Sequence, residues 1–331
     1  MVILALRVIE YRQLLQILAM FMVVQFFGLL LATQVFTGVT FEQIQGAQTV
    51  SSTFNALFFI AYIVIISVIM LIIFKVYKGD KLFLLLDAAV VLVASFMVFI
   101  VSISALQGNA FSGLFGTTPN YVVVTAIVLA ALLVVAKYKM PRLRNITAMI
   151  ASVGVGLVIG VSFSFLAAMI FMVILAIYDF IAVFITKHMV ALGNVAMEKN
   201  LSFLITVNEV EAVPVSSLTA KERAEYNISK KELQKHGGTM QRLVGSGMAP
   251  VSARMALGTG DLAMPLMVAI AAYKVNLNFV LSFVIILGAI LGLVITMLIL
   301  RRYKRALPAI PPILFGIVVA LLAYFAVSVL V

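Results

Sequence analysis

The chain has 331 residues, of which 64% are apolar and only 11% are charged, and its mean hydropathy is +1.22. This composition excludes a soluble globular protein, because apolar runs of the ~20 residues needed to cross a bilayer recur along the chain. The absence of cysteine excludes disulfides, thiolate metal sites and a cysteine nucleophile. The net charge of +11 does not predict nucleic-acid binding, because the basic residues flank apolar runs, where they orient helices.

Nine apolar runs are candidates for transmembrane helices. They cover residues 14–36, 54–74, 82–106, 119–136, 146–163, 164–185, 252–274, 277–300 and 309–331. The fifth and sixth runs are contiguous, and at ~1.5 Å per residue the joined stretch would be about twice as long as a bilayer is thick. We therefore predict that the chain reverses between residues 160 and 164. The predicted fold class is an all-α polytopic membrane protein of about nine transmembrane helices.

The runs divide the chain into three parts. Residues 1–186 hold six predicted helices, residues 187–251 form a hydrophilic loop, and residues 252–331 hold three more helices. Within the loop, residues 201–207 (LSFLITV) have the composition of a short strand. A loop segment packed on helix ends explains these seven residues equally well.

The distribution of basic residues predicts the orientation. If the N-terminus is cytoplasmic and nine helices cross the membrane, Lys274 alone of the 23 Lys and Arg residues lies outside. Positive charge is concentrated on the cytoplasmic side of membrane proteins. We therefore predict a cytoplasmic N-terminus, a cytoplasmic loop over residues 187–251 and an extracellular C-terminus.

Three acidic residues, Asp87, Asp179 and Asp261, lie inside apolar runs. An ionised carboxylate in hydrocarbon costs several kcal/mol, so each of the three is a candidate functional residue. Asp87 lies six residues after Lys81, close enough to the cytoplasmic surface to snorkel or to pair with a lysine. We therefore predict a structural role for Asp87.

The other two carboxylates are predicted to face each other. Asp179 stands eight residues before Lys187, and Asp261 stands seven residues after Arg254, so both lie ~10–12 Å below the same surface on consecutive helices. Two carboxylates in close contact share a proton, which leaves one base and one acid. Such a pair can activate water and polarise a carbonyl group, as in an aspartic protease. A proton-sharing pair that only joins two helices, or an ion or proton relay, remains equally compatible with the spacing.

Two segments near the aspartates have a backbone that a substrate could approach. Glycines precede Asp261 and permit close approach of another chain. Residues 308–312 (PAIPP) open the last run, and clustered prolines leave backbone groups outside helix bonding, although helix capping is the plainer interpretation. The predicted substrate-positioning residues are Gly258, Thr259, Gly260, Pro308, Ala309 and Ile310, together with Tyr178 beside Asp179.

These elements resemble the motifs of the presenilin and signal peptide peptidase group of intramembrane aspartic proteases. The matching elements are Tyr178-Asp179, residues 258–261 (GTGD) and Pro308-Ala309-Ile310. The third motif of the family is Pro-Ala-Leu, so Ile310 is a departure that conserves volume. Residues 176–189 and 257–265 also look much like archaeal presenilin homologues.

The resemblance implies an aspartic endopeptidase that cuts transmembrane segments of other proteins, with Asp179 and Asp261 as the catalytic pair. The implied partners are transmembrane protein or peptide substrates and the lipid bilayer, without nucleic acid. The implied location is the cell membrane of a prokaryote, by resemblance an archaeon. No cofactor or metal is predicted, because His188 and His236 lie far apart without a ligand pattern around them.

Two other functions use the same residues. A prepilin- or preflagellin-type peptidase also has a GxGD motif, but the nine crossings, the Tyr-Asp pair and the proline motif argue against it. A cation channel or proton-coupled carrier would bind ions at the same aspartates and would show no proteolysis.

Overall fold

The structure is a computed structural model that describes residues 11–36, 80–106, 120–140, 143–186, 203–214, 248–303 and 307–330. Within these ranges the chain forms eight α-helices. They are α1 (Tyr11–Val35), α2 (Asp80–Leu106), α3 (Asn120–Lys139), α4 (Arg144–Ser162), α5 (Phe165–Phe180), α6 (Thr259–Asn276), α7 (Phe279–Tyr303) and α8 (Ile310–Leu330). Seven spans in the described ranges are long and apolar enough to cross a membrane. The protein is therefore a polytopic helical membrane protein, as predicted.

The count of nine helices stays a prediction. The apolar run at 54–74 lies outside the described residues, as does most of the loop at 187–251. The run at 252–274 is not one helix, because strand β2 (Met248–Gly258) takes its first seven residues and α6 begins at Thr259. The two glycines at this boundary disfavour a helix that would continue through it.

Contacts divide the chain into two compact units. One unit comprises Met1–Ile17 and Thr206–Ala256, and the other comprises Leu18–Ile205 and Leu257–Val331. Strand β1 (Leu204–Pro214) pairs with β2 in a two-stranded sheet. A strand and a packed loop segment explained residues 201–207 equally well, and the structure has a strand from residue 204 onward. All candidate site residues belong to the second unit.

The predicted reversal between the fifth and sixth runs is confirmed. Helix α4 ends at Ser162 and α5 begins at Phe165, with Phe163 in an extended conformation. The side chain of Ser164 accepts a hydrogen bond from the backbone amide of Ala167 (3.3 Å) and so caps α5. This turn separates the two spans.

Helix α6 is the centre of the second unit. It packs against α4, α5 and α7, and most of its side chains from Leu262 to Ala272 are buried. The glycines of α4 permit this close approach, because a Cβ atom at Gly160 would lie 2.8 Å from Cβ of Ile270. A Cβ at Gly288 of α7 would likewise lie 2.6 Å from the carbonyl oxygen of Gly316 in α8. Gly156 with Gly160, and Gly288 with Gly292, have GxxxG spacing in the sequence, and both pairs lie on helix-packing faces.

Asp87 forms a buried salt bridge with Lys137. The carboxylate of Asp87 in α2 bonds to Nζ of Lys137 in α3, and the two side chains are 0% and 2% exposed. Next to this pair, the Tyr138 hydroxyl donates a hydrogen bond to the carbonyl of Leu84 (3.0 Å). The predicted pairing of Asp87 with a lysine is confirmed, and it joins the neighbouring helices α2 and α3.

Candidate active site

Asp179 lies near the end of α5, where its side chain is 6% exposed. Below it the helix widens into one π-helical turn, Ile181–Ile185. Such turns are rare in proteins overall, but many of those that occur lie at functional sites. The carboxylate of Asp179 is thus buried at a local irregularity of a membrane-spanning helix.

The segment that opens α8 supplies hydrogen bonds to Asp179. The backbone amide of Ile310 donates to Oδ2 of Asp179 (3.3 Å), and the amide of Ala309 also interacts with this carboxylate. The first amides of a helix have no partner within the helix and carry the positive end of its dipole. Because prolines have no N–H group, Ala309 and Ile310 are the only two residues of 308–312 that can donate. Both of these amides are directed to Asp179.

Asp261 is the third residue of α6 and bonds to the start of its own helix. Its Oδ2 atom accepts a hydrogen bond from the backbone amide of Gly258 (3.2 Å). A complete capping box has two bonds, one from the side chain of each partner to the backbone of the other. Gly258 has no side chain, so only the bond to the carboxylate of Asp261 forms. The carboxylate is half-buried at the positive end of the α6 dipole.

The two carboxylates lie on neighbouring helices. Helices α5 and α6 pack against each other, and the charge of Asp179 acts electrostatically on Asp261. Each carboxylate therefore lies at a helix N-terminus, Asp179 at that of α8 and Asp261 at that of α6.

Thr259 holds the start of α6 in place. Its amide and its hydroxyl both donate to the carbonyl oxygen of Phe203, at 3.0 and 3.2 Å. Its own carbonyl accepts from the hydroxyl of Ser152 in α4 (3.2 Å). The side chain of Thr259 is thus engaged within the protein, so its contribution to substrate positioning would be indirect.

The two glycines of the GTGD segment differ in their surroundings. A Cβ atom at Gly258 would lie 3.0 Å from Oδ2 of Asp261. A Cβ atom at Gly260 would have no atom of the described residues within 4 Å, apart from its chain neighbours and the backbone of its own helix. Gly260 is exposed and borders a cavity of about 110 Å³ that is also lined by Ser152 and Ala263. Gly258 is therefore constrained by the carboxylate, and Gly260 borders open space.

The remaining sequence-predicted residues are placed as follows. Pro308 and Ala309 are buried directly before α8. Tyr178 is half-buried, and since consecutive helical residues are ~100° apart, its side chain leaves α5 in a different direction from that of Asp179. A supporting role for Tyr178 stays a prediction. His188 and His236 lie outside the described residues.

Two polar residues near the site were missed by the sequence reasoning. Gln25 of α1 donates a hydrogen bond to the carbonyl of Leu262, directly after Asp261, and Ser152 of α4 donates to that of Thr259. A single uncharged polar residue in an apolar run was the only signal available. Such residues also occur at ordinary helix contacts.

Comparison with known proteins gives one family. A model of the family described as signal-peptide peptidase, presenilin aspartyl protease matches residues 18–330. A solved structure of a presenilin family intramembrane aspartate protease in one crystal form has 17% identity and a TM-score of 0.59, over 95% of this chain and 99% of that one. Another crystal form of such a protease has 18% identity and a TM-score of 0.58, over 95% and 97%. A search of curated protein sequences gave no match.

Proposed function

Because the chain belongs to the signal-peptide peptidase and presenilin family of aspartyl proteases, we propose that it hydrolyses peptide bonds within transmembrane segments with Asp179 and Asp261. The observation that carries this proposal is the interaction of the two carboxylates across the contact of α5 and α6. Neither carboxylate is bonded to a basic side chain in the described residues, in contrast to Asp87. The pair is therefore available for proton transfer.

The proposed reaction uses one ionised and one protonated aspartate. The ionised carboxylate takes a proton from water, and the water oxygen attacks the carbonyl carbon of the scissile bond. The protonated carboxyl donates its proton to the carbonyl oxygen, which gives a neutral tetrahedral diol. In the collapse of the diol, the second aspartate, now ionised, takes a proton from one hydroxyl group, and the first aspartate gives the proton that it took from water to the leaving nitrogen. The C–N bond breaks, which gives a carboxylic acid and an amine and restores the starting protonation of both aspartates. No covalent bond to the protein forms.

Asp179 is the better candidate for the base. Two backbone amides, those of Ala309 and Ile310, are directed to Asp179, whereas the amide of Gly258 alone donates to Asp261. Hydrogen bonds from N–H groups favour the ionised form of a carboxylate. Asp179 would therefore activate the water, and Asp261 would hold the proton.

The open side of Gly260 supports a place for the substrate. A helical substrate has no free backbone donors at its centre, so the scissile bond must be in an extended segment before it can be cut. Gly260 directly precedes Asp261 and leaves the space beside it empty. An extended segment could therefore pass along the backbone directly before Asp261.

The proposed topology follows the charge distribution. Nine crossings with a cytoplasmic N-terminus would place both aspartates near the cytoplasmic surface of the membrane. Substrates would then be single-span proteins or peptides of the same membrane, cut in the cytoplasmic half of the span. The proposed location is the cell membrane.

The proposal is tested with purified protein in liposomes and a single-span substrate. The masses of the two products locate the cut, which we expect inside the apolar stretch of the substrate. Products cut only in the polar flanks, or an ion flux through the liposomes without any cleavage, would contradict an intramembrane protease.

A further inference from the structure

The first turn of α6, which carries Asp261, is weakly stabilised by its own sequence. Gly258 stands at the cap position without a side chain, and Gly260 is the second residue of the helix. Pro265 lies inside the helix and has no N–H group, so the carbonyl of Asp261 lacks the donor that normally follows four residues later. This turn therefore depends on contacts from outside α6, which include the two hydrogen bonds from Thr259 to Phe203 and bonds from other helices.

Gln25 of α1 makes such a contact. Its Nε2 atom donates a hydrogen bond to the carbonyl oxygen of Leu262 (2.9 Å), and both residues are 0% exposed. The orientation of the amide follows from its partner, because a carbonyl oxygen can only accept a hydrogen bond. Leu262 directly follows Asp261, so the bond holds the backbone next to the carboxylate.

The packing of α1 on α6 supports this contact. Gly28 lies on the same face of α1 as Gln25, and the side chain of Leu266 occupies the position that a Cβ atom of Gly28 would take. Leu262 and Leu266 are likewise one turn apart on α6. Close approach of the two helices at Gly28 therefore brings the amide of Gln25 to a backbone atom of α6.

A second contact to this turn is weaker. The hydroxyl of Ser152 is 3.2 Å from the carbonyl of Thr259 but 2.8 Å from that of Ala148 in its own helix. Its single hydrogen is therefore shared or given mainly to Ala148. Among the described residues, Gln25 makes the shorter of the two side-chain bonds to the carbonyls around Asp261.

From these contacts we infer that Gln25 is a positioning residue, which fixes the first turn of α6 so that Asp261 faces Asp179. This inference rests on the proposed function, since it assumes that Asp261 takes part in hydrolysis. Gln25 touches neither the substrate nor the reacting atoms in this account. Its effect is expected in kcat, because a misplaced acid slows the chemical step while substrate binding is retained.

The first test compares Gln25→Leu with Ser282→Ala. Ser282 of α7 also donates a buried hydrogen bond to a carbonyl of α6, that of Ala269 (2.8 Å), but eight residues beyond Asp261. We expect Gln25→Leu to lower kcat about tenfold with KM within about twofold of the wild type. Ser282→Ala should leave kcat within about twofold of the wild-type value, even if its melting temperature falls as much as that of Gln25→Leu.

Hydrogen exchange provides a readout that does not depend on cleavage. In Gln25→Leu, the backbone amides of residues 258–266 should exchange faster than in the wild type, and those of residues 267–275 should not. Ser282→Ala should show no acceleration over residues 258–266. If the wild type exchanges as expected but does not cleave the substrate, the proposed function fails while the contact of Gln25 with α6 is still measured.

Gln25→Glu provides a rescue with nearly the same shape. A protonated carboxyl can donate to the carbonyl of Leu262, whereas an ionised one cannot. The ratio of the kcat of this variant to that of the wild type should therefore be close to one at acidic pH and fall to the level of Gln25→Leu at alkaline pH. An ionised group beside Leu262 would also act on the titration of Asp261, so exchange over residues 258–266 is compared with that of the wild type at each pH.

Three results would overturn the inference. These are unchanged exchange over residues 258–266 in Gln25→Leu, an equal loss of kcat in Ser282→Ala, or a kcat ratio for Gln25→Glu that does not change with pH. If Gln25→Leu does not fold, the exchange and kcat ratio of Gln25→Glu decide the question by themselves.

Discussion

The backbone amide of Ile310 donates a hydrogen bond to the carboxylate of Asp179 across 131 residues of sequence. This bond shows that the proline motif, residues 308–310, contacts the carboxylate through its backbone. The prolines on either side have no N–H groups, so the start of α8 offers its amides at Ala309 and Ile310, and both are directed to Asp179. The motif was predicted to position the substrate, but its N–H groups are already engaged with the carboxylate.

Ile310→Pro should slow catalysis without unfolding the protein. Proline is tolerated at the first position of a helix, so the change removes the amide of Ile310 and little else. A hydrogen bond to a charged group contributes about 1.5–3 kcal/mol, so kcat should fall about 10- to 100-fold. Ile310→Leu keeps the N–H group and is the matched control, with kcat close to that of the wild type. Equal rates for the two variants would show that this hydrogen bond has no part in catalysis.

Gly258→Ala and Gly260→Leu should have different kinetic effects. A Cβ atom at Gly258 would press on Oδ2 of Asp261, so Gly258→Ala should lower kcat. A side chain at Gly260 would fill empty space beside Asp261, so Gly260→Leu should raise KM by about tenfold or more and leave the melting temperature unchanged. The measurement is a pair of Michaelis–Menten curves for the single-span substrate. Near wild-type KM for Gly260→Leu would place the substrate elsewhere.

The rate of cleavage should depend on pH with a bell shape. At low pH both aspartates are protonated and no base remains, whereas at high pH both are ionised and no acid remains. The plot of kcat/KM against pH should therefore fall on both sides of its maximum. Circular dichroism at each pH controls for unfolding, and a constant rate from acidic to alkaline pH would exclude a proton-sharing pair.

Replacing one residue of the Asp87–Lys137 pair should destabilise the protein more than replacing both residues. A single partner left buried and charged costs about 3–5 kcal/mol, whereas two neutral side chains leave no such charge. We expect Asp87→Asn and Lys137→Met each to lower the free energy of unfolding by about that amount, and the double variant to recover part of the loss. Thermal or chemical unfolding in detergent measures all three variants. Additive losses would mean that the two residues do not interact.

Tags test the orientation. A tag at the C-terminus should be accessible from outside the cell, and a tag inserted between residues 221 and 235 should be accessible only from the cytoplasm. The two results should reverse in inside-out vesicles. Detection of both tags on one side would show that the number of crossings between them is even, which contradicts three helices after the loop.

The sequence was sufficient where one local cause determines the structure. Uninterrupted apolar length predicted the spanning helices of the described ranges and the break before Phe165. The cost of burying charge gave Asp87, Asp179 and Asp261 as candidates, and the catalytic role of the last two stays a prediction. The division of the run at 252–274 was not predicted, because an apolar segment before Gly258 is compatible with both a strand and a helix. Periodicity alone does not decide between them.

Partners distant in sequence could not be predicted from single residues. Lys137 appeared to be one of several basic residues flanking a helix, yet it is the buried partner of Asp87. The bond from Ile310 to Asp179 and that from Gln25 to Leu262 depend on which helices are neighbours. This information belongs to the packing, which composition and spacing do not specify.

The most direct test of the account is cleavage of a single-span substrate by Asp179→Asn and Asp261→Asn, measured by mass spectrometry of the products. The control is Ser282→Ala, which removes a buried polar side chain of the membrane-spanning part that bonds to α6 eight residues beyond Asp261. We predict that each single variant folds but yields no product, while the control cleaves at the same bond as the wild type. Continued cleavage by either Asp179→Asn or Asp261→Asn would contradict the catalytic pair.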